Sequence, residues 1–301
     1  MSLRKWRRVL VLSVVALLPL LVFTGLLRSS AVPAAKQPQA GMEQYEQIPG
    51  VTVVGDYIEV GVNYMGTLGV GTGIGTGFRF PRGVAYESLA YAFWGHGFLV
   101  AYRDTTGADN VAYWYPNMGY PPPPASKLVV LRTPEVVRND AHKFVMKCFI
   151  RTADWRLIIV RHWVFDKHQP SIAVYTTMHN LDKELRDVVF KELVDWDVHQ
   201  QTYNKWVSYG NEAWASLSTA DNRTTMGVIG YPITPHVVVN DVDLYAWDDH
   251  TQRSAGTYVI KSFEPITGDY YAGLYFEIGT MAPNAIVEFK IVFTAGIWYP
   301  E

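Results

Sequence analysis

From Val51 onward the chain alternates apolar and polar residues with a period of two, the mark of half-buried β-strands. Ser171–Asn180 shows it cleanly, with Ile172, Val174, Thr176 and Met178 on one face. Lys143–Arg151, Leu157–Phe165, Asp187–His199, Tyr270–Ile278 and Ala285–Ala295 read as long strands. Shorter ones fit Val51–Val54, Tyr57–Val62, Tyr86–Tyr91, Gly97–Tyr102, Val111–Tyr115, Leu128–Arg132, Thr225–Ile229, His236–Val239 and Gly256–Phe263. Pro121–Pro124 forbids regular pairing in the loop Pro116–Pro124, because proline lacks the ladder's N–H. After Leu27 a helical period is nowhere sustained, apart from a short helical alternative within Asn204–Trp214. The pattern therefore predicts an all-β chain: a large two-sheet antiparallel β-sandwich.

The N-terminus breaks this pattern. Arg4-Lys5-Trp6-Arg7-Arg8 precedes an uncharged apolar run from Val9 to Leu27, and Ser29–Ala35 are small residues and one proline. A basic segment, an apolar run and small residues are the layout of a secretory signal. The run is also long enough to span a bilayer as a helix, at about 1.5 Å per residue. Residues 1–35 are thus expected to be a signal peptide or N-terminal transmembrane anchor, with the basic end cytoplasmic and the bulk outside. Residues 36–50, polar with Pro38 and Pro49, read as a linker, and 51–301 as the sandwich domain.

Composition sharpens the picture in two ways. Beyond residue 35 the chain carries 21 bases against 28 acids, a net of −7. That balance argues against nucleic acid as a partner. The single cysteine, Cys148, lies in the apolar run Phe144–Ile150 and reads as a small buried hydrophobe, so an exported domain here depends on its core rather than on disulfides.

Candidate chemistry centres on Asp195-Trp196-Asp197-Val198-His199. On a strand, Asp195, Asp197 and His199 share one face, about 7 Å apart at successive same-face positions, opposite Val194, Trp196 and Val198. Two carboxylates and an imidazole suit acid–base work, a cation or sugar hydroxyls. Trp206 and Trp214 follow closely, and flat aromatic faces beside carboxylates are what a carbohydrate groove needs. Asp241 and Asp243 are candidate calcium ligands, although the segment lacks the glycine and terminal glutamate of a calcium loop. The histidines show no zinc-enzyme spacing, so no metal site is assigned and no other cofactor is expected. Asn222-Arg223-Thr224 is a glycosylation acceptor sequence. Gly71–Gly77 alternates glycine without the dinucleotide spacing or a following helix, and reads as a tight strand or loop.

The middle of the chain resembles the β-supersandwich of the galactose-mutarotase-like superfamily, in particular the N-terminal sandwich of glucoamylase and glucodextranase-type proteins. The similar parts are Tyr86-Glu87-Ser88 with Gly97–Tyr102, then Arg156–Phe165 with the turn Lys167-His168-Gln169-Pro170, then Asp187–Asp197. Met281-Ala282-Pro283-Asn284-Ala285 is similar to the Ala-Pro-Gly turn that closes many such sandwiches, with Asn284 in place of the glycine. The resemblance implies the fold and a sugar-facing surface. In the glucoamylase-type enzymes the catalytic carboxylates sit on a separate helical domain, so it does not imply hydrolysis.

Two functions are expected. One is an exported, cell-surface, non-catalytic protein of surface structure or extracellular assembly, held to the membrane by its N-terminus, with Val51–Val60 as a candidate donor strand for self-assembly. The alternative is a carbohydrate-binding or carbohydrate-active protein of the supersandwich type, mutarotase- or glycosidase-like if an enzyme, using Asp195, Asp197, His199, Trp206 and Trp214.

Overall fold

The computed structural model describes residues 49–71, 75–84, 88–89, 95–114, 128–200, 204–217, 224–245, 266–268 and 271–297. Seventeen strands account for most of them: β1 Gly50–Val54, β2 Glu59–Asn63, β3 Phe78–Arg79, β4 His96–Arg103, β5 Asp109–Trp114, β6 Leu128–Asn139, β7 Lys143–Thr152, β8 Leu157–Asp166, β9 Ser171–Asn180, β10 Leu185–Val194, β11 Asn204–Tyr209, β12 Glu212–Leu217, β13 Thr224–Pro232, β14 Val238–Tyr245, β15 Ile266–Gly268, β16 Tyr271–Met281 and β17 Ile286–Ile297. Among the described residues no helix is long and apolar enough to cross a membrane. The apolar run Val9–Leu27, the linker as far as residue 48, the loop Pro116–Pro124, the strand expected at Gly256–Phe263 and Asn222 all lie outside the described residues.

The strands form a nine-stranded sheet, β15-β11-β12-β13-β17-β9-β8-β7-β6, a five-stranded sheet, β14-β16-β10-β4-β5, and a small sheet, β1-β2-β3, each pairing antiparallel. The two large sheets enclose one apolar core. Phe190 of the five-stranded sheet meets Phe289 of the nine-stranded sheet at 4.9 Å between ring centroids, and Phe276 stacks on Phe289 at 4.1 Å. Ile172, Val174, Thr176 and Met178 all face this core, as their period predicts. Asn204–Trp214 forms the hairpin β11–β12 rather than a helix, turning at Gly210 with φ 59°. Asn284 has φ 61°, a glycine-like conformation in the turn before β17.

The small sheet packs against the same core. Val53, Ile58, Val60 and Val62 join the core, and within the segment Val51–Val60 the first strand, β1, pairs along one edge with β2. The turn after β2 is organised by Asn63, whose Oδ1 accepts from the N–H of Met65 and Thr67 and whose Nδ2 donates to Thr67 Oγ1 and Gly69 O. Val70 and Thr76 exchange both backbone hydrogen bonds, which pairs the two ends of the glycine run. At the far edge of the nine-stranded sheet, β6 carries Pro134 and three register shifts against β7. Bulges and proline on an edge oppose strand addition.

Three turns meet at one end of the body. His168 Nδ1 donates to Asp56 Oδ2 at 2.7 Å, and His168 Nε2 lies 2.9 Å from His142 Nδ1. The hydrogen bond from His168 holds the Asp56 carboxyl below its ordinary value of 3.8, and Asp56 raises His168 above 6.5. The Asp56 contribution is complete above 3.8 and lost as pH falls through its lowered value. The His168 contribution is complete below 6.5 and lost as pH rises through its raised value. His168→Gln is therefore expected to lower the urea midpoint more at pH 5.5 than at pH 9. Equal losses at both pH values would show that the pair contributes nothing, which screening at such an exposed site could bring about.

Candidate functional site

The residues singled out from sequence fall in two separate places. β10 ends at Val194, but the chain stays extended through Asp197: Asp195 N–H donates to Gly95 O at 2.6 Å and Asp197 N–H to Ser88 O at 3.0 Å. Val194, Trp196 and Val198 point into the core, so Asp195 and Asp197 lie on the opposite side, as alternation predicts. They are not on a solvated surface, being 4% and 8% exposed. His199 departs from the expected strand. It sits in a 3-10 turn, Val198–Gln200, with φ 56° and ψ 37°, and this left-handed step ends the period of two. Burial pushes its imidazole below the ordinary histidine range.

Trp214 lies elsewhere. Its neighbours Ala213 and Ala215 belong to the core, so Trp214 is on the outer face of the nine-stranded sheet. A Cβ on Gly227 would come within 2.4 Å of the indole, so the ring lies directly on that bare backbone. Its Nε1 donates to Glu212 Oε2 at 2.9 Å. Asp195 and Trp214 therefore face away from one another across the sandwich and cannot share a groove. Trp206 pairs through its backbone with Ala215 and Ile266, and its side chain is outside the described residues. Asp241 and Asp243 lie in β14, also with side chains outside that set. Among the described residues no three His, Cys, Asp or Glu are placed to hold a metal ion.

Asp195 instead continues a row on the outer face of the five-stranded sheet. Val189, Lys191, Leu193 and Asp195 follow one another there on the central strand β10. Lys191 is fully buried and stands opposite Tyr275 and Leu99, and Leu99 opposite Tyr113, so one cross-strand line reads Tyr275–Lys191–Leu99–Tyr113. Burial raises the Tyr113 hydroxyl above its ordinary value. In the next line Leu193 is flanked by Gly273 and Gly97, and its side chain packs over Gly273, where a Cβ would come within 2.7 Å of Leu193 Cδ2. Lys191 and Asp195 lie on either side of Leu193 along the chain, roughly 13 Å apart at strand rise. An amine, a carboxylate and two phenols thus lie around a second buried apolar cluster, Leu99, Ala101, Val189, Leu193 and Tyr275, on the side of the five-stranded sheet away from the main core.

A second charged cluster is sealed between the sheets. Arg161 of β8 donates through Nη2 to Glu192 Oε1 of β10, and His96 Nε2 of β4 donates to the same oxygen at 2.7 Å. All three side chains are without exposure. Leu68 N–H donates to His96 Nδ1 at 2.7 Å, which fixes the neutral tautomer with the proton on Nε2. Burial lowers the His96 pKa. Burial would raise Glu192, but Arg161 and His96 more than offset it and hold the carboxyl below its ordinary value. The guanidinium also lies 4.8 Å from the Phe98 ring centroid. Beside it, burial pushes the Cys148 thiol up to about 12. The cluster ties β8 of one large sheet to β4 and β10 of the other.

No protein-family model matches the sequence, and no curated protein matches it. Similarity appears at the level of structure. A bacterial glucoamylase crystallised with acarbose aligns with a TM-score of 0.52 and 11% identity, over 84% of this chain and 33% of that one. A putative aldose 1-epimerase from Escherichia coli K12 aligns at 0.46 and 9% identity, over 83% and 100%. A GH36 α-galactosidase from Geobacillus stearothermophilus aligns at 0.43 and 9%, over 83% and 41%. The chain spans about a third of the glucoamylase's length. The body shares the antiparallel β-sandwich fold of the part of the glucoamylase that it overlays.

Proposed function

We propose that this chain is an exported, cell-surface protein that binds carbohydrate without cleaving it, on the outer face of its five-stranded sheet. The observation that carries this reading is the in-register line of Tyr275, Lys191 and Tyr113 on the side of the five-stranded sheet away from the main core, buried at Tyr275 and Lys191 and partly exposed at Tyr113 on the edge strand, with buried Asp195 continuing β10 on the same side. Sugar rings need flat apolar contact together with charged hydroxyl partners, and Tyr113, Lys191 and Asp195 are groups of those kinds. Both aspartates rise from one strand and approach a ligand from the same side. Glycoside hydrolysis needs two carboxyl groups flanking the scissile bond, so the arrangement favours binding over cleavage. Export rests on the basic cluster and apolar run of the N-terminus.

The test is a glycan array probed with the full-length protein in detergent, followed by titration of the best ligand. Asp197→Ala should weaken binding about tenfold or more, the effect of losing a hydrogen bond to a charged group. Retention of no glycan above background, or unchanged affinity in the variant, would remove this site. Protease accessibility on intact cells tests the outward placement of the body.

A further inference from the structure

The outer face of the nine-stranded sheet carries a different pattern. Tyr231 of β13 pairs with Lys290 of β17, Lys290 with Tyr175 of β9, Tyr175 with His162 of β8, and His162 with Lys147 of β7. Directly opposed residues on an antiparallel sheet share a face, so these five side chains form one line across five strands, roughly 19 Å long at sheet spacing. The line is accessible: Tyr231 and Tyr175 are 39% and 38% exposed. Lys290 Nζ sits 4.3 Å above the Tyr231 ring, and His162 lies 6.4 Å from Tyr175 between ring centroids. Among the described residues neither Lys290 nor Lys147 forms an ion pair. The nearest acids are off the line or at its end, Glu288 accepting from Thr177 Oγ1 and Glu135 opposite Lys147 on the edge strand. The body as a whole is net acidic, so this basic and aromatic line runs against the overall charge.

We propose that this line is a second binding surface, for an extended anionic polysaccharide bearing uronate groups. Tyrosine faces offer ring stacking, and the two lysines offer charge to carboxylates spaced along a chain. Charge complementarity selects this occupant. The surface lies on the opposite side of the sandwich from Asp195 and Asp197 and stands independently of the reading proposed above.

The test uses full-length protein in detergent with polygalacturonate as probe and a neutral polyglucan as control. Polygalacturonate should be retained, with affinity falling as salt rises. Lys147→Gln with Lys290→Gln should reduce affinity at least about tenfold, Tyr175→Ala should reduce it severalfold, and thermal midpoints should be unchanged. Asp197→Ala should leave polygalacturonate binding intact, which separates this surface from the five-stranded one. No retention of polygalacturonate, or equal retention by the double lysine variant, overturns the proposal. So does lysine-dependent binding to phosphatidylglycerol vesicles without polysaccharide binding, or lysine-dependent dimerisation in sedimentation velocity.

Discussion

Glu192→Ala should destabilise the fold by about 3–5 kcal/mol, the usual consequence of leaving a buried charge without its partner. In a body of this size that corresponds to a fall in melting temperature of about 10 °C. Removing the carboxylate strands the Arg161 guanidinium between Phe98, Trp163 and Phe190, and takes the acceptor from His96 Nε2. The partner experiment is Arg161→Met with Glu192→Leu. Replacing a buried ion pair by apolar groups of similar volume is often neutral, so the double variant should recover to within about 2 kcal/mol of wild type, the remainder reflecting the unmet His96 donor. A single variant as mild as a surface substitution, or a double variant as unstable as the two single losses added, would show that the triad does not couple the sheets. The same cluster predicts acid sensitivity. His96 stays neutral in the folded protein below 6.5 while the unfolded chain takes up a proton, and Glu192 holds its charge below its ordinary value. The histidine makes stability fall as pH drops below 6.5, and the carboxylate adds to that fall only below 4.5.

The period of two was enough to read β9 and the core-facing set on it, and the same rule correctly put Trp196 and Val198 in the core with Asp195 and Asp197 on the other side. It failed at His199, because a left-handed residue cannot be seen in an alternation count. It also failed to group the site. Trp214 is near Asp197 in sequence, but a hairpin carries it to the other sheet, and only topology reveals that separation. The buried triad left a signal that alternation could have caught: Arg161 falls between Ile159 and Trp163, and Glu192 between Phe190 and Val194, all at core positions. Lys191 was hidden for a different reason. β10 is buried on both faces, so its run of apolar residues blurs the distinction between core and outer side. Its meaning appears only once Tyr275 and Leu99 stand beside it in register.

Trp196→Ala links the fold to the proposed site and should cost about 3–5 kcal/mol, the range for deleting a fully buried aromatic side chain. The indole is without exposure and meets the edge of Phe78 at 5.3 Å and of Phe293 at 6.4 Å between centroids. Those contacts join three sheets at one point: Phe78 belongs to β3, Phe293 to β17, and Trp196 continues β10. Trp196 is also the anchor between Asp195 and Asp197, paired through its backbone with Leu89. Loss of the anchor should therefore weaken glycan binding on the five-stranded face as well as stability, whereas polygalacturonate binding on the nine-stranded face should persist wherever the variant remains folded. Trp196→Phe separates the two effects, since it keeps an aromatic wedge and should restore most of the binding with a smaller loss of stability. Chemical denaturation alongside both titrations checks the pattern. Equal loss on the two faces would mean that the substitution loosens the whole sandwich rather than the end of β10.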